Sequence, residues 1–599
     1  MEPTRVFDLL DFTPSHFGNK ADFITAKENG KWVNYDTETI IRYCHEMASG
    51  FIGHGLQRGE RVAILANNRP EWNITDFAVQ LSGAVLVPVY PTISEHDLNF
   101  ILKDCEARFV FVSNNDIFLK TKTACAGLAD PPRIFCFDEV EGGTSWKEVM
   151  DTGKKNPRED VIGEVKKNTK PGDMFTILYT SGTTGTPKGV MLSHRNLVSN
   201  FTSLCDLPPV DETSRVLSFL PLNHIYERML VYLYFYKGPS IYYAESLEKI
   251  AENIREVKPH MFTCVPHLVQ KVYNGITAKG AEQKGIKRWL FFTAVEMAEK
   301  FEIRPGGNSF FYRLKMAILG RFVFSKWRAG LGGNLRVMVS GGAALEPKLA
   351  RIFWAAGLPV LEGYGLTETS PVIAVNNFGP DNVRFGTVGP VIKGVEVKFA
   401  EDGEILVKGP NVMLGYYKRP DATAEVIDKD GYFHTGDIGE MMEGKFLRIT
   451  DRKKEIFKTS GGKYIAPQLI ENLLRTSRFV EQAMVIGENR KFPAALIVPS
   501  FTFLRAYAKY KGIQTGMSNE ELISNETIRK RIEASVEKLN AELAQYEKVK
   551  KIILIPSEWT VNSAELTPKL SLRRKVILKN NEAAIEKMYE EADRVSEKK

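Results

Sequence analysis

Met174-Phe-Thr-Ile-Leu-Tyr-Thr-Ser-Gly-Thr-Thr-Gly-Thr-Pro-Lys-Gly-Val190 is the stretch on which the reading of this chain turns. Met174 to Leu178 are strand formers, and they run straight into a loop of glycines and hydroxyl residues. Gly182, Gly185 and Gly189 free the backbone to turn and to present N–H groups. Thr180, Ser181, Thr183, Thr184 and Thr186 add hydroxyl donors, and Lys188 adds a fixed positive charge. Such a loop suits a polyphosphate. It is not the Walker A pattern, because Pro187 stands where that motif needs its second glycine and Gly189 where it needs Ser or Thr. A flexible linker would explain the glycines and threonines but not Pro187-Lys188 between two strand-like runs.

Upstream, from residue 36 to about 140, helix-period stretches (Thr37 to Leu56, Glu71 to Leu81, Glu95 to Asp104) alternate with short apolar runs at 61–65, 84–89 and 108–112. Apolar runs between amphipathic helices predict a parallel sheet covered on both faces. The same rhythm returns at 217–220, 240–243, 261–265, 336–340 and 358–361, so two α/β lobes are expected. Beyond about residue 385 short strands with Gly and Asp turns (395–399, 403–408, 431–434, 445–449) predict a small β subdomain. A final α/β module follows, with strands near 482–486, 494–499 and 550–555 and one long charged helix between Asn519 and Tyr546. The predicted fold is therefore α/β: a large N-terminal domain of two α/β lobes plus a small β subdomain over residues 1–450, then a smaller α/β C-terminal domain over 451–599. Gly53-His-Gly-Leu-Gln-Arg-Gly59 imitates a dinucleotide loop, but its last spacing is too long and it follows a helix.

The 599 residues, 43% hydrophobic and 26% charged, exclude a disordered chain and call for more than one domain. A net charge of +7 from interleaved acids and bases excludes a dedicated nucleic-acid binder. Basic residues gather only near the C-terminus (Lys548, Lys550, Lys551, Lys569, Arg573, Arg574), where a solvated face and an anionic patch are both open readings. The six cysteines form no CxxC pair and no metal spacing, as expected of a reduced, cytoplasmic protein. Residues 1–12 have no signal-peptide pattern, and the longest apolar run, Met229 to Tyr236, is too short for a bilayer span.

Further motifs follow the loop in order: Leu220-Pro-Leu-Asn-His-Ile-Tyr-Glu-Arg228, Ser340-Gly-Gly-Ala-Ala344, Glu362-Gly-Tyr-Gly-Leu-Thr-Glu-Thr369, Tyr432-Phe-His-Thr-Gly-Asp-Ile-Gly439 and Asp451-Arg-Lys-Lys-Glu-Ile-Phe-Lys-Thr-Ser-Gly-Gly462. The second and third follow predicted strands, at the ends where α/β folds bind ligands. Singly, His224 reads as well as a buried core histidine, and Asp437 as a turn residue. Together, from about residue 10 to 580, they resemble the acyl-adenylate-forming enzymes, and within them the long-chain fatty acyl-CoA synthetases.

That resemblance implies activation of a fatty acid with ATP and Mg²⁺, then transfer to coenzyme A. It implies phosphate binding by Thr180, Ser181, Gly182, Thr183, Thr184, Gly185 and Lys188, with Thr184 and Glu368 toward the metal. Gly341, Gly342, Ala343, Glu362, Gly363 and Tyr364 would receive the adenine, Asp437 and Arg452 the ribose side, and Thr367 the α-phosphate. His224 would lie near the reacting carboxylate, Lys454 would be the hinge of a mobile C-terminal domain, and Ser460, Gly461 and Gly462 would meet CoA. The family's catalytic lysine three residues after Thr-Pro is Ser571 here, so either Lys569 takes the role through a local shift, the preferred reading, or the step relies on other cations. The resemblance also leaves open a homodimer and peripheral contact with a membrane. A helix around Trp289, Leu290, Phe291, Phe292 and Val295 would line an acyl tunnel or simply pack a core. A ligase acting on a carrier protein, a short-chain or aryl acid ligase, and a binding protein without turnover are the alternatives.

Overall fold

The computed structural model describes residues 2–181, 186–304, 306–513, 516–560, 563–566 and 572–597, with the backbone alone at 181, 593 and 595–597. Gly182, Thr183, Thr184, Gly185, Thr567, Pro568, Lys569 and Ser571 lie outside the described residues. Two eight-stranded sheets carry the large domain. The first runs in spatial order Gly415–Tyr416, Pro187–Ser193, Met174–Ser181, Val85–Pro88, Arg61–Leu65, Ala107–Val112, Arg133–Cys136, Thr144–Ser145. Its inner strands are parallel and buried, as their unbroken apolar runs require. The strands flanking the phosphate-type segment, Met174–Ser181 and Pro187–Ser193, form an antiparallel pair, with Thr180 facing Lys188.

The second sheet runs Val372–Val375, Val360–Gly365, Val337–Ser340, Met261–Cys264, Arg215–Ser218, Ser240–Tyr243, Ile24–Glu28, Lys31–Tyr35. Both strands at its far edge come from the N-terminal segment, which sequence reading had left outside either lobe. One apolar cluster joins the two sheets through the helix Ile225–Lys237, which is buried nearly all round. Inside it Arg228 pairs with Asp76 at 2.6 and 3.0 Å and donates to Thr176 of the first sheet at 2.7 Å. Removing one partner of so buried a pair strands the other charge, at about 3–5 kcal/mol.

A five-stranded antiparallel sheet (Gly389–Pro390, Phe446–Arg452, Phe433–Met442, Glu404–Lys408, Glu396–Phe399) closes the large domain. Its strand 433–442, an inner strand paired with 404–408 on one side and 446–452 on the other, is longer than the reading of 431–434, because His434, Asp437 and Glu440 interrupt its apolar run. The C-terminal unit holds Val480–Ile486, Ala494–Pro499 and Lys551–Leu554 in one sheet, with clusters of its own. The single helix expected over 519–546 is two, Asn519–Ser524 and Glu526–Asn540, because the Asn525 side chain caps the second by accepting from Thr527 and Ile528 N–H.

Candidate active site

The strand Val360–Gly365 carries Tyr364 toward the five-stranded sheet, where its hydroxyl donates to Asp437 Oδ2 at 2.7 Å. Arg452 stands opposite Asp437 in the ladder between Phe433–Met442 and Phe446–Arg452, and its Nε meets Oδ1 at 3.1 Å. Burial pushes the Asp437 carboxyl up, and the Arg452 guanidinium opposes that shift. Both carboxylate oxygens keep a spare lone pair for an incoming hydroxyl.

Beyond Gly365 the chain turns sharply: a Cβ there would come within 1.8 Å of Pro371 O. Only glycine fits, and the turn delivers the short helix Thr367–Thr369, with Thr367 buried and Glu368 displayed. Tyr416 donates to Glu368 Oε1 at 3.1 Å, while its ring lies 5.1 Å from Lys188 Nζ. Tyr416 therefore bridges the lysine of the phosphate-type hairpin and the acid assigned to the metal. Sequence reasoning missed it, since a tyrosine in Leu414-Gly-Tyr-Tyr-Lys418 carries no spacing signal. Glu368 is also close enough to Asp437 and Arg452 to act on their ionisation, so the two groups share one site.

The loop after Val337–Ser340 forms the next wall. Gly342 adopts φ +81°, which a side chain resists, and a Cβ on Gly341 would press to 3.2 Å of the Tyr226 ring. Tyr226 itself donates from its hydroxyl to Val339 O at 3.2 Å. Glu362 is buried, accepts from Leu345 N–H at 3.1 Å and has its carboxyl raised to about 8 by burial. It anchors the far end of the Ser340–Ala344 loop, with Gly363 following it on the same strand.

His224 caps the helix Ile225–Lys237, its Nδ1 accepting from Tyr226 N–H at 3.0 Å. In the neutral ring the proton then sits on Nε2. One helical turn on, Glu227 is buried between the hydroxyls of Ser218 and Thr263, and burial raises its carboxyl to about 7. The helix start that holds His224 is thus pinned to two strands of the second sheet.

After Arg452 the backbone makes a tight turn. Lys453 bonds back to Asp402 at 2.6 Å and Glu404 at 2.8 Å in the five-stranded sheet, while Glu455 accepts from Arg574 at 3.0 Å in the C-terminal unit. Lys454 falls between these two anchors. Ser460, Gly461 and Gly462 form the exposed turn between Phe457–Lys458 and Tyr464–Ile465, held by Ser460 N–H on Arg490 O at 2.9 Å. Among the described residues none of the three bonds to the Tyr364–Asp437 pair. Of the helix assigned to an acyl tunnel, Phe291 and Val295 are buried in a core cluster, whereas Trp289 is 64% exposed.

For Mg²⁺, the donor chemistry fits in one way. Among the described residues no group of three acidic, histidine or cysteine side chains could cage a metal. A lone, oriented carboxylate such as Glu368 suits a magnesium ion held mainly by phosphate oxygens and water.

Residues 17–417 match the pattern of the AMP-binding enzymes, and residues 454–593 match that of the AMP-binding enzyme C-terminal domain. The long-chain-fatty-acid–CoA ligase FadD15 of Mycobacterium tuberculosis is 33% identical over 94% of this chain and 93% of its own length. The long-chain-fatty-acid–CoA ligase 1 of Homo sapiens is 32% identical over 93% of this chain and 82% of its own. The adenylation domain of a carboxylic acid reductase from Segniliparus rugosus, solved with AMP and a co-purified carboxylic acid, superposes with a TM-score of 0.73 at 19% identity, covering 98% of this chain and 94% of that one. The fold is shared with that structure, the sequence with the two ligases along nearly all their length, and the chain accordingly belongs to the AMP-binding enzyme family.

Proposed function

We propose that this protein activates a long-chain fatty acid with ATP and transfers it to coenzyme A, giving fatty acyl-CoA, AMP and pyrophosphate. The observation that carries the reading is the joining of Tyr364, Asp437 and Arg452 to Glu368, Tyr416 and Lys188 beside two inner strands of the five-stranded sheet. A carboxylate is a poor electrophile because its charge is delocalised and its leaving group is oxide. In the first half-reaction a carboxylate oxygen forms a bond to the α-phosphorus of ATP and the bond to pyrophosphate breaks. In the second the CoA sulfur bonds to the acyl carbon, its proton is lost and AMP leaves.

Positioning and charge neutralisation are what the first step needs. Lys188 supplies positive charge, Thr180 faces it across the strands, and Ser181 to Gly185 are proposed as the further phosphate binders. Asp437 and Arg452 orient the ribose, Tyr364 and the Gly341–Ala343 loop flank the base, and Thr367 faces the α-phosphate. His224, held by its Nδ1 bond, presents its opposite edge toward the fatty carboxylate. Bound Mg²⁺ neutralises phosphate charge beside Glu368. Lys569 is proposed as the C-terminal cation of this step.

The division into residues 1–450 and 451–599 is proposed with Lys454 as the hinge, and the opposed anchors of Lys453 and Glu455 support it. Rotation there would bring Ser460–Gly462 and CoA onto the acyl-adenylate. A cytoplasmic setting is supported by six free cysteines, five of them buried. No helix among the described residues is long and apolar enough to cross a membrane. A homodimer belongs to the same proposal and is read by light scattering.

The deciding experiment measures pyrophosphate and AMP release with ATP, Mg²⁺ and carboxylic acids from acetate to oleate, each with and without CoA. Release with long-chain acids, accelerated by CoA and yielding thioester, is the expected result. Release indifferent to CoA would replace this reading with donation to a carrier protein, and no release with any acid would replace it with a binding function.

A further inference from the structure

The connection between the strand Arg215–Ser218 and the helix Ile225–Lys237 is irregular over residues 219–224, yet it ends on His224. Backbone outside helix and sheet must find its hydrogen-bond partners elsewhere. Asn68 supplies them. It belongs to the other lobe, in the bend between the strand Arg61–Leu65 and the helix Pro70–Leu81, and lies in none of the motifs read from the sequence. Its Nδ2 donates to Leu220 O at 2.7 Å and to Ser218 Oγ at 3.3 Å, and its Oδ1 accepts from Leu222 N–H at 2.9 Å. One side-chain amide thus holds the entry and the middle of the connection together.

The arrangement is chemically selective. Leu220 offers an acceptor and Leu222 a donor, so the two bonds call for a side chain that both gives and receives. A carboxylate would set a second acceptor against Leu220 O, and an aliphatic side chain would leave both groups unmet. Ser218, which accepts from Asn68, passes its own proton to Glu227 Oε1 at 2.6 Å, on the helical side of His224. Asn223 reaches the first sheet as well, donating to Val89 O at 2.6 Å and Ile64 O at 3.3 Å. His224 closes the turn with its backbone N–H on Pro221 O at 2.9 Å. His224 is therefore framed from both lobes. Among the described residues Asn68 bonds to none of Tyr364, Asp437 and Glu368, so its reach ends at the His224 segment.

We propose that Asn68 is a positioning residue for the acyl carboxylate, acting across the seam between the lobes by fixing the segment Leu220–His224. The inference rests on the proposed reaction for the identity of the group beside His224. Loss of the amide releases that segment, and a shift of about 1 Å in an oriented group is enough to cost a reaction one to two powers of ten. The nucleotide side keeps its own supports. A purely structural tie would instead lower stability and weaken both substrates alike.

The test is a double-mutant cycle of Asn68→Ala with His224→Ala in the full chain. It has two readouts: kcat/KM for dodecanoate in pyrophosphate release at saturating ATP, and Kd for dodecanoate by titration calorimetry without ATP. Asn68→Ala alone should lower kcat/KM about tenfold or more and raise Kd about threefold or more, with KM for ATP within about twofold of wild type. In the His224→Ala background the same substitution should change either readout by less than about twofold. Asn68→Asp, which keeps an acceptor for Leu222 N–H but repels Leu220 O, should show the same dependence on His224 and carries the cycle if Asn68→Ala melts early. An equal loss in both backgrounds, or an equal rise in KM for ATP, would overturn the proposal. So would a wild-type protein that binds no dodecanoate. Absence of pyrophosphate release with binding intact would count against the proposed reaction alone, and the calorimetric cycle would then decide the role of Asn68.

Discussion

A single hydroxyl separates two ways of losing Glu368. Glu368→Ala removes the carboxylate and should abolish Mg²⁺-dependent turnover with the fold unchanged, which circular dichroism alongside the pyrophosphate assay will read. Tyr416→Phe leaves the carboxylate but frees it from its hydrogen bond. The expected outcome is a rise of about three- to tenfold in the Mg²⁺ concentration needed for half-maximal rate, from loss of roughly 1 kcal/mol of orientation. Glu362 bears on stability. Its carboxyl has a pKa of about 8 in the fold against an ordinary 4.5, so the folded state holds the proton more tightly across that window. The contribution of Glu362 to stability is therefore fullest below about pH 4.5 and is lost as pH rises through about 8. Glu362→Gln keeps an acceptor for Leu345 N–H and removes the ionisation, so its melting temperature should gain on wild type between about pH 5 and about pH 8.5.

At the scale of elements, the strands were the most legible part of the sequence. Unbroken runs such as 62–65 and 109–112 have no polar residue to confuse the period, and they lie among parallel strands where both faces are apolar. The hairpin at 24–35 and the extension of 433–442 were not legible, because polar and charged residues interrupt both and make them resemble loops. The break at Asn525 was hidden for a related reason: asparagine in a charged helical pattern reads as a solvent-facing residue until its side chain is seen to cap. Asn525→Ala should remove about 1 kcal/mol from the helix Glu526–Asn540. Hydrogen exchange of its first-turn amides should quicken by about fivefold, with the large domain unaffected.

For the molecule as a whole, the candidate site was legible as motifs but not as geometry. Order along the chain gave Lys188, Glu368, Asp437 and Arg452; nothing in that order placed Tyr416 between the first two. Trp289 illustrates the limit from the other side, since periodicity assigns it to an apolar helix without saying which face is covered. The turn at Lys454 gives the prediction that belongs at this scale. Lys453 is tied to the five-stranded sheet and Glu455 to the C-terminal unit, so the proposed rotation would fall on the residue between. Lys454→Pro fixes φ there. Pyrophosphate release in the absence of CoA should stay within about twofold of wild type, while thioester formation should fall at least about tenfold. An equal fall in both would remove the hinge assignment.

The edge of the second sheet has a consequence for how the chain comes into being. Ile24 and Thr25 pair with Tyr35 and Asn34 at once, but their partners on the other side, Ile241 and Tyr242, come about 200 residues later. At translation rates of about 5–20 residues per second, the first hairpin leaves the ribosome roughly 10–40 seconds before the strand it must join. During that interval its outer edge is open to any passing strand, its own or a neighbour's. Lys27, Glu28 and Lys31 on this hairpin are charges of the kind that discourage such pairing. The strand Ile24–Glu28 thus waits for residues 240–243 before both its sides are paired, and the newborn chain depends on those charges until that partner arrives.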